Sequence, residues 1–306
     1  MSAHEPANAT SWLRSSTPVG GTAEEAQPIL KRPHAVDGYS LMRGLFAPYV
    51  DVGPTPIDWR SAEKRPTRKL DRAILRAAST VGRVMGWANQ QDGRLVHDIV
   101  PSPGFEHAQV GASSADALVW HTEDAFHPDR ADLIMLVCVR DPDEVGTDVA
   151  SVRRAGLSEG DKALLRRPLV HISPDDSYGD SWDTGDRHGM ATVWDGEDGL
   201  CLRYDPSYSR LPEDDQDFRH AYASLESSLP ACADTAVMRP GDAVIIDNDV
   251  AVHSRRPFRA RYDGTDRWLK RVLIRSGERT RPRGEAAEHG FGQTPLLTGP
   301  ETAVRE

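Results

Sequence analysis

The chain has 306 residues, 38% of them hydrophobic, and its formal charge of −10 comes from 47 acidic and 37 basic side chains. This acidic balance argues against a surface that binds nucleic acid or anionic membrane. No apolar run approaches the roughly 18 residues that a membrane span needs, and the first residues lack the regions of a secretion signal. Three cysteines without metal-binding spacing favour reduced thiols in a cytoplasmic protein.

The two ends of the chain differ in composition from its middle. Residues 1–36 and 277–306 are rich in small, polar and proline residues. We therefore expect a mobile N-terminal segment, a C-terminal tail and a single domain over residues 37–276. Near the start of that domain, residues 67–88 carry apolar side chains close to every 3.6 positions, which predicts an amphipathic helix.

Most of the remaining apolar runs have the length of β-strands. They are rich in Val, Ile and Leu and are separated by turn-forming residues. The predicted strands cover residues 95–100, 116–123, 132–140, 168–173, 200–205, 242–248 and 268–276. Two helices interrupt them, one capped near Ser158 and one over about 213–228. Because there is no regular alternation of strands and helices and no glycine-rich phosphate motif, the pattern predicts a mainly β sandwich or barrel with flanking helices.

An acidic, glycine-rich segment separates two of these strands. Residues 172–200 contain seven aspartates, among them Asp175, Asp176, Asp180, Asp183 and Asp186. A segment of this length without predicted structure inside a compact domain is either a lid over a functional site or disordered. The sequence leaves both interpretations open.

Two histidines and one carboxylate form a candidate metal site. His121 and Glu123 follow a predicted strand, and residues two apart in an extended chain project to the same side. The pair alone is not specific, because His127 and Asp129 repeat its spacing. His253, which follows another predicted buried strand, would complete the facial triad of non-haem Fe(II) oxygenases. Zinc could use the same ligands, but the H-E-x-x-H helix of zinc proteases is absent.

Two arginines lie beyond this candidate site in the last predicted strand. Arg267 and Arg271 are four residues apart, so both would point to one face of that strand. A guanidinium pairs bidentately with carboxylate oxygens, and it is suited to hold a dicarboxylate cosubstrate opposite a metal. The alternative is a solvated basic edge of the sheet.

Longer stretches of sequence surround these residues. They are GPTPIDW at 53–59, residues 109–143 with H-T-E-D-A-F-H-P, GTDVASV at 146–152, LRYD at 202–205, and residues 241–275. Together they resemble the clavaminate synthase-like Fe(II)/2-oxoglutarate-dependent oxygenases, especially the free amino acid hydroxylases of the viomycin-pathway arginine β-hydroxylase type. The likeness covers most of 50–276. It implies a double-stranded β-helix, the cupin-like jelly roll, and the use of Fe(II), 2-oxoglutarate and O2.

The resemblance also implies roles for individual residues. The implied iron ligands are His121, Glu123 and His253, the implied cosubstrate-binding residues are Arg267 and Thr147, and Arg271 is placed near the carboxylate of the substrate.

Four further positions concern the substrate. Asp205 matches the acidic residue that arginine hydroxylases place against the guanidinium of the substrate. The second acid of that motif is replaced here by Ser207, which favours a neutral ureido group or a cation held in another way. Gln90 or Gln91 is a candidate for binding the amino group of the substrate, and a surface glutamine is the alternative.

We therefore expect an enzyme that hydroxylates C3 or C4 of a free polar or basic L-amino acid, with succinate and CO2 as coproducts, in specialised-metabolite biosynthesis. Arginine, citrulline, lysine, ornithine and enduracididine all qualify as small-molecule substrates. Desaturation by the same iron chemistry is an alternative outcome. A non-catalytic metal-binding jelly roll would not need Arg267, and a structural β-sandwich would hold no metal. We assign His97, His171 and His220 to packing or to the surface.

Overall fold

A computed structural model describes residues 28–64, 66–178, 189–277 and 279–298. Most of the predicted N-terminal segment, residues 1–27, and the middle of the acidic segment, residues 179–188, lie outside the described residues. The described chain is mainly β, and its strands pair antiparallel. None of the helices in this part of the chain is both long and apolar enough to cross a membrane.

The strands and helices alternate irregularly along the chain. The first half contains β1 (Tyr39–Met42), α1 (Arg68–Ser79), β2 (Arg83–Trp87), β3 (Val96–Ile99), β4 (Leu118–His121), β5 (Leu133–Arg140), β6 (Thr147–Ser151) and α2 (Glu159–Leu165). The second half contains β7 (His171–Ile172), β8 (Val193–Gly196), β9 (Gly199–Leu202), β10 (Ser209–Arg210), α3 (Gln216–Ala231), β11 (Asp234–Ala236), β12 (Ala243–Asp247), β13 (Ala251–Arg255), β14 (Trp268–Arg275) and β15 (Pro295–Leu297).

Two larger sheets carry the candidate site. The seven-stranded sheet has the order β1-β12-β5-β14-β2-β15, and β3 also pairs with β14. The four-stranded sheet has the order β11-β6-β13-β4. One hydrophobic cluster contains side chains from both sheets, among them Leu136 of β5, Leu269 of β14, Val149 of β6 and Ala251 of β13. The two sheets therefore share a core.

Strand β5 is a continuous apolar run because both of its faces are buried. Ile134, Leu136 and Cys138 belong to the core shared by the sheets. Leu133, Met135, Val137 and Val139 alternate with them and belong to a second cluster, which includes Leu70 and Ile74 of α1. Successive side chains of a strand point to opposite faces, so a strand buried on both faces needs apolar residues at every position.

The predicted helix over residues 67–88 is wrong in its second half. Helix α1 ends at Ser79, and the chain continues into β2, which pairs with β14. Gly82 permits this close approach, because a Cβ atom there would lie 2.5 Å from the carbonyl oxygen of Arg275. The predicted cap of α2 is confirmed, since Ser158 Oγ accepts a hydrogen bond from the backbone N–H of Asp161 at 3.0 Å.

The C-terminal segment takes part in the fold. β15 pairs with β2 at the edge of the seven-stranded sheet. A short 3-10 helix (Arg283–Ala287) places the carboxylate of Glu285 2.8 Å from Nη1 of Arg130, which is fully buried. Residues 279–298, which we predicted to be a tail beyond the domain, thus contribute a strand and buried charges to it.

Candidate active site

The two histidines of the candidate metal site meet because their strands are neighbours. β4 pairs with β13, and His121 and His253 are directly opposite each other in the antiparallel register. Their ring centroids are 4.3 Å apart. A bulge after His253 changes the register before Arg255. Side chains at opposed positions of an antiparallel pair project to the same face, so both imidazoles point to one place.

Glu123 lies two residues beyond the end of β4 and is held by Asn248. The backbone N–H of Glu123 donates to Asn248 Oδ1 at 2.7 Å, and Asn248 Nδ2 donates to the carbonyl of Glu123 at 2.9 Å. Both side chains are buried. The amide therefore fixes the backbone from which the carboxylate reaches toward the histidines.

Donor atoms of His121, Glu123 and His253 all lie within 4.8 Å of one another. Nδ1 of His121 donates to the carbonyl of Val119 at 2.7 Å, which leaves its other ring nitrogen free of a proton and able to bind a metal. Burial and the adjacent His253 lower the pKa of His121, so the imidazole is neutral, as a ligand must be. Two imidazoles and one carboxylate fit a ferrous ion.

The repeated His-x-Asp spacing does not produce a second site of this kind. Nδ1 of His127 accepts from the backbone N–H of Asp129 at 2.9 Å, and its Nε2 lies 3.2 Å from the carbonyl oxygen of Gln293. Both nitrogens are thus engaged by the backbone. His127 braces the turn that follows the candidate ligands.

A cavity of about 520 Å³ opens at the candidate metal site, and all nine site residues singled out from the sequence line it. Arg267, immediately before β14, is buried there and donates from Nη2 to the carbonyl of Gly146 at 2.7 Å and to Thr147 Oγ1 at 3.2 Å. Its Nε lies 3.5 Å from a carboxylate oxygen of Asp141. Burial lowers the pKa of Arg267, while Asp141 opposes that shift.

Arg271 lies on the same side of β14 and closer to the metal ligands. Its guanidinium contacts the carboxylate of Glu123 and donates to Gln90 Oε1 at 2.9 Å. Nη2 also lies 2.8 Å from Nδ1 of His97. Gln91 is turned toward β3, where its amide donates to the carbonyl of Asp98 at 2.9 Å and accepts from the N–H of the same residue at 3.0 Å.

The ionisation of Glu123 reflects this guanidinium. Burial opposes the charged form, but Arg271 and His253 outweigh it and lower the pKa of the carboxyl. Glu123 is therefore a carboxylate at neutral pH, which is the form that binds a metal.

An acidic wall forms another side of the cavity. Asp205 lies just after β9, and burial together with the negative charge of Asp175 raises its pKa to about 6. Burial also raises the pKa of Asp175, which sits after β7. Ser207 lines the cavity and donates its backbone N–H to Asp205 Oδ1 at 3.2 Å. Two neighbouring carboxyl groups with raised pKa values indicate a place where a cation would be stabilised.

Tyr178 anchors the chain segment that carries Asp175. Its hydroxyl donates to Asp124 Oδ1 at 2.6 Å, and the other oxygen of Asp124 accepts from the indole N–H of Trp87 at 2.7 Å. Tyr178 is buried, and its ring contacts those of Phe126 and Trp87 edge-on. The start of the acidic segment is thus docked against the loop that holds Glu123.

Sequence reasoning missed two residues of this site. His97 contacts Arg271, although we had assigned it to packing or to the surface. Asp175 was one of seven aspartates in the acidic segment, and only its position after a short strand distinguishes it. The pairing of β3 with β14 brings His97 to Arg271, and a sequence alone does not specify that pairing.

Comparisons with known proteins agree with this geometry. A family model described as taurine catabolism dioxygenase, TauD, TfdA family, matches residues 71–273. The enduracididine beta-hydroxylase of Streptomyces hygroscopicus is 35% identical over 261 residues, which cover 78% of this chain and 76% of that protein. The L-ornithine/L-arginine 3-hydroxylase of Catenulispora acidiphila is 33% identical over 270 residues, covering 80% and 78%.

Among solved structures, the non-heme iron oxygenase OrfP in complex with Fe and alpha-ketoglutaric acid is similar to this chain. The TM-score is 0.71 and the sequence identity is 40%, over 78% of this chain and 75% of that one. OrfP in complex with Fe, succinate and (3S)-hydroxy-L-Arg gives the same TM-score of 0.71 at 37% identity, over 78% and 76% of the two chains.

Proposed function

The chain belongs to the TauD/TfdA dioxygenase family, and from this premise we propose a substrate class and a role for each residue of the cavity. The protein is an Fe(II)- and 2-oxoglutarate-dependent amino acid hydroxylase. Its substrate in our proposal is a free L-amino acid with a cationic side chain, hydroxylated at C3 or C4. One observation supports this most strongly: the metal ligands, two arginines and two acids line a single cavity.

His121, Glu123 and His253 hold the iron in this proposal, and they leave open positions for the cosubstrate and for O2. When bound, the iron with 2-oxoglutarate supplies the oxidising power for attack on an unactivated C–H bond. The ligand strands belong to the smaller of two facing antiparallel sheets. That arrangement supports assigning the fold to the double-stranded β-helix.

Arg267 and Thr147 hold the distal carboxylate of 2-oxoglutarate. The guanidinium is buried and lines the cavity, so it can pair with a carboxylate that enters there. Thr147 Oγ1 is already 3.2 Å from this arginine and can donate its proton to the same carboxylate. The desolvated position makes the pairing strong.

Arg271 binds the carboxylate of the amino acid, and Gln90 and Glu123 lie beside it to receive the amino group. In the structure Gln90 Oε1 and a carboxylate oxygen of Glu123 both accept from Arg271, so both acceptors already face the position of the backbone of the substrate. Gln91 lines the cavity but uses its amide on Asp98, which gives it a supporting role.

Asp205 and Asp175 bind the side-chain cation. The sequence had one acid at this position, and the loss of the second favoured a neutral ureido group or a cation held in another way. Asp175 supplies a second carboxylate from a different part of the chain and changes that expectation in favour of a cation. A buried carboxylate costs free energy unless a cation pairs with it. Arginine, lysine, ornithine and enduracididine carry such a cation.

The experiment compares L-arginine with L-citrulline, which has nearly the same shape but no charge. With Fe(II), ascorbate and 2-oxoglutarate, we expect succinate in equal amount to a hydroxylated amino acid, and faster turnover of arginine, lysine or ornithine than of citrulline. A product with two fewer hydrogens would indicate desaturation. Equal turnover of arginine and citrulline would contradict the cation site. No succinate with any amino acid, together with no bound metal, would overturn the enzyme assignment.

The cellular context is also part of the proposal. Cys138, Cys201 and Cys232 are all free thiols, which supports a cytoplasmic location. One similar protein is named an enduracididine beta-hydroxylase, and we place this protein likewise in specialised-metabolite biosynthesis.

A further inference from the structure

His97 is a buried histidine that none of the roles above uses. It lies in β3, directly opposite Arg271 in the antiparallel pairing of β3 with β14. Only 1% of its surface is exposed. Opposed residues of an antiparallel pair have neighbouring side chains, so the register itself brings the imidazole to the guanidinium.

Both ring nitrogens of His97 have a defined partner. Nε2 lies 2.9 Å from the carbonyl oxygen of Arg94, and because a carbonyl only accepts, Nε2 must carry the proton. Nδ1 is then an acceptor, and it receives a hydrogen bond from Nη2 of Arg271 at 2.8 Å. The Arg94 carbonyl thus selects the tautomer that can orient Arg271.

The imidazole is neutral. Burial and the positive charge of Arg271 lower the pKa of His97 to about 3. A neutral acceptor fixes the direction of the guanidinium without cancelling its charge, whereas a carboxylate at the same place would cancel it. Gln90 also accepts from Nη2 and is neutral as well. On the side away from Glu123, Arg271 is therefore held by uncharged acceptors.

We infer that His97 is a positioning residue, which holds Arg271 in the orientation that binds the α-carboxylate of the substrate and preserves the charge that this binding requires. The inference rests on the proposed role of Arg271. It implies that His97 determines the affinity for the amino acid and leaves the binding of 2-oxoglutarate to Arg267 unchanged.

Three variants at position 97 distinguish the effects of the hydrogen-bond acceptor, of its charge and of side-chain packing. His97→Asn retains a neutral oxygen at the position of Nδ1, His97→Leu removes the acceptor, and His97→Asp replaces it with a charged one. The probe is whichever of L-arginine, L-lysine and L-ornithine the wild-type enzyme turns over fastest. We expect the KM for this amino acid to rise about tenfold in His97→Leu, because a hydrogen bond to a charged group is lost. His97→Asp should raise it further, and His97→Asn should stay within about threefold of wild type.

The KM for 2-oxoglutarate should remain unchanged in all three variants, which a general loss of folding would not allow. Binding of the same amino acid to enzyme loaded with Mn(II) and 2-oxoglutarate, measured by calorimetry without O2, provides a readout independent of turnover. His220→Gln, at an exposed histidine of α3, is the matched control and should behave as wild type. A KM for the amino acid that is the same in His97→Leu and wild type would overturn the inference.

Arg271→Gln distinguishes a failure of the inference about His97 from a failure of the proposed function. If Arg271→Gln raises the KM for the amino acid and His97→Leu does not, Arg271 keeps its role and His97 loses the one inferred here. If neither variant changes that KM, or if none of the three amino acids binds, the role of Arg271 is wrong and the inference about His97 is overturned with it.

Discussion

Asn248 holds the backbone of Glu123 on both sides, accepting from its N–H at 2.7 Å and donating to its carbonyl at 2.9 Å. The same amide nitrogen donates to the carbonyl of Ala131 at 3.0 Å. One buried side chain thus joins the loop of the candidate carboxylate ligand to the turn between β12 and β13, the strand that carries His253. Groups that orient metal ligands contribute to metal affinity without touching the ion.

We predict that Asn248→Ala lowers the affinity for Mn(II), used in place of Fe(II), by about tenfold to a hundredfold. It should also lower the melting temperature, because buried backbone groups lose their partners at a cost of about 1–3 kcal/mol each. Calorimetric titration and thermal unfolding measure the two effects. Gln216→Ala, at an exposed amide of α3, is the control. A lower melting temperature with unchanged Mn(II) affinity would show that Asn248 supports the fold alone.

Arg267→Ala should weaken the binding of 2-oxoglutarate. Truncating one partner of a buried charged pair costs about 2–5 kcal/mol, so we expect the KM for 2-oxoglutarate to rise about thirtyfold or more. The KM for the amino acid should change much less, because Arg271 and the acidic wall are intact. Steady-state kinetics with each substrate varied in turn tests this, with Arg219→Ala on α3 as an exposed control. An unaltered KM for 2-oxoglutarate would instead assign the binding of its distal carboxylate to Arg271.

The raised pKa of Asp205 gives the enzyme a pH dependence. With a pKa of about 6, the carboxyl is charged at pH 7.5 and increasingly protonated below pH 6. The KM for a cationic amino acid should therefore rise as the pH falls through 6, and the effect should be weaker in Asp205→Asn, which keeps only Asp175. Kinetics of L-arginine between pH 5 and pH 8 measure it. An equal pH dependence in Asp205→Asn would exclude Asp205 as its origin.

The same shift predicts a gain in stability on removing the charge. The pKa of Asp205 is higher in the folded protein than in the unfolded chain, so folding takes up a proton, and stability is lost as the pH rises through 6. Asp205→Asn should thus raise the melting temperature of the ligand-free protein at pH 7.5 and leave it nearly unchanged at pH 4. Thermal unfolding at the two pH values tests this. A lower melting temperature at pH 7.5 would contradict the unfavourable burial of this carboxylate.

The sequence predicts those contacts of the site whose residues are close together along the chain. His121 and Glu123 are two residues apart, and Arg267 directly precedes the strand that contains Arg271, so periodicity alone brought each pair together. The continuous apolar run of β5 likewise indicates a strand buried on both faces. His97 and Asp175 acquire their places through pairing and docking between distant segments, which no local pattern specifies.

The same argument applies to the ends of the elements and of the chain. The apolar side chains of residues 80–87 continue the helical spacing of α1. These residues nevertheless pair with β14, because tertiary pairing can override a local pattern. Residues 279–298 have the composition of a tail, and their place in the fold depends on buried ion pairs with partners more than 30 residues away in sequence. Amino-acid composition alone therefore could not predict that this segment belongs to the fold.

Glu285 offers a test of whether the C-terminal segment is required for stability. Its carboxylate lies 2.8 Å from Nη1 of Arg130, and this arginine is 0% exposed. Glu285→Ala leaves Asp249, 3.2 Å from Nη2 of Arg130, as a remaining carboxylate partner, so we expect the free energy of unfolding to fall by about 1–3 kcal/mol, the cost of an unmade hydrogen bond to a buried charged group. Urea unfolding monitored by tryptophan fluorescence measures the change.

The effect should depend on pH in a defined direction. Although burial opposes ionisation, Arg130 and Arg203 lower the pKa of Glu285 below its usual value, so the pair stabilises the protein at neutral pH and loses its contribution as the pH falls through the lowered pKa. The difference between Glu285→Ala and wild type should therefore shrink in acid. Glu159→Ala removes an exposed carboxylate 2.7 Å from Lys162 and should change the free energy of unfolding much less. Equal losses in the two variants would mean that the C-terminal segment only rests on the surface, without stabilising the loop that follows Glu123.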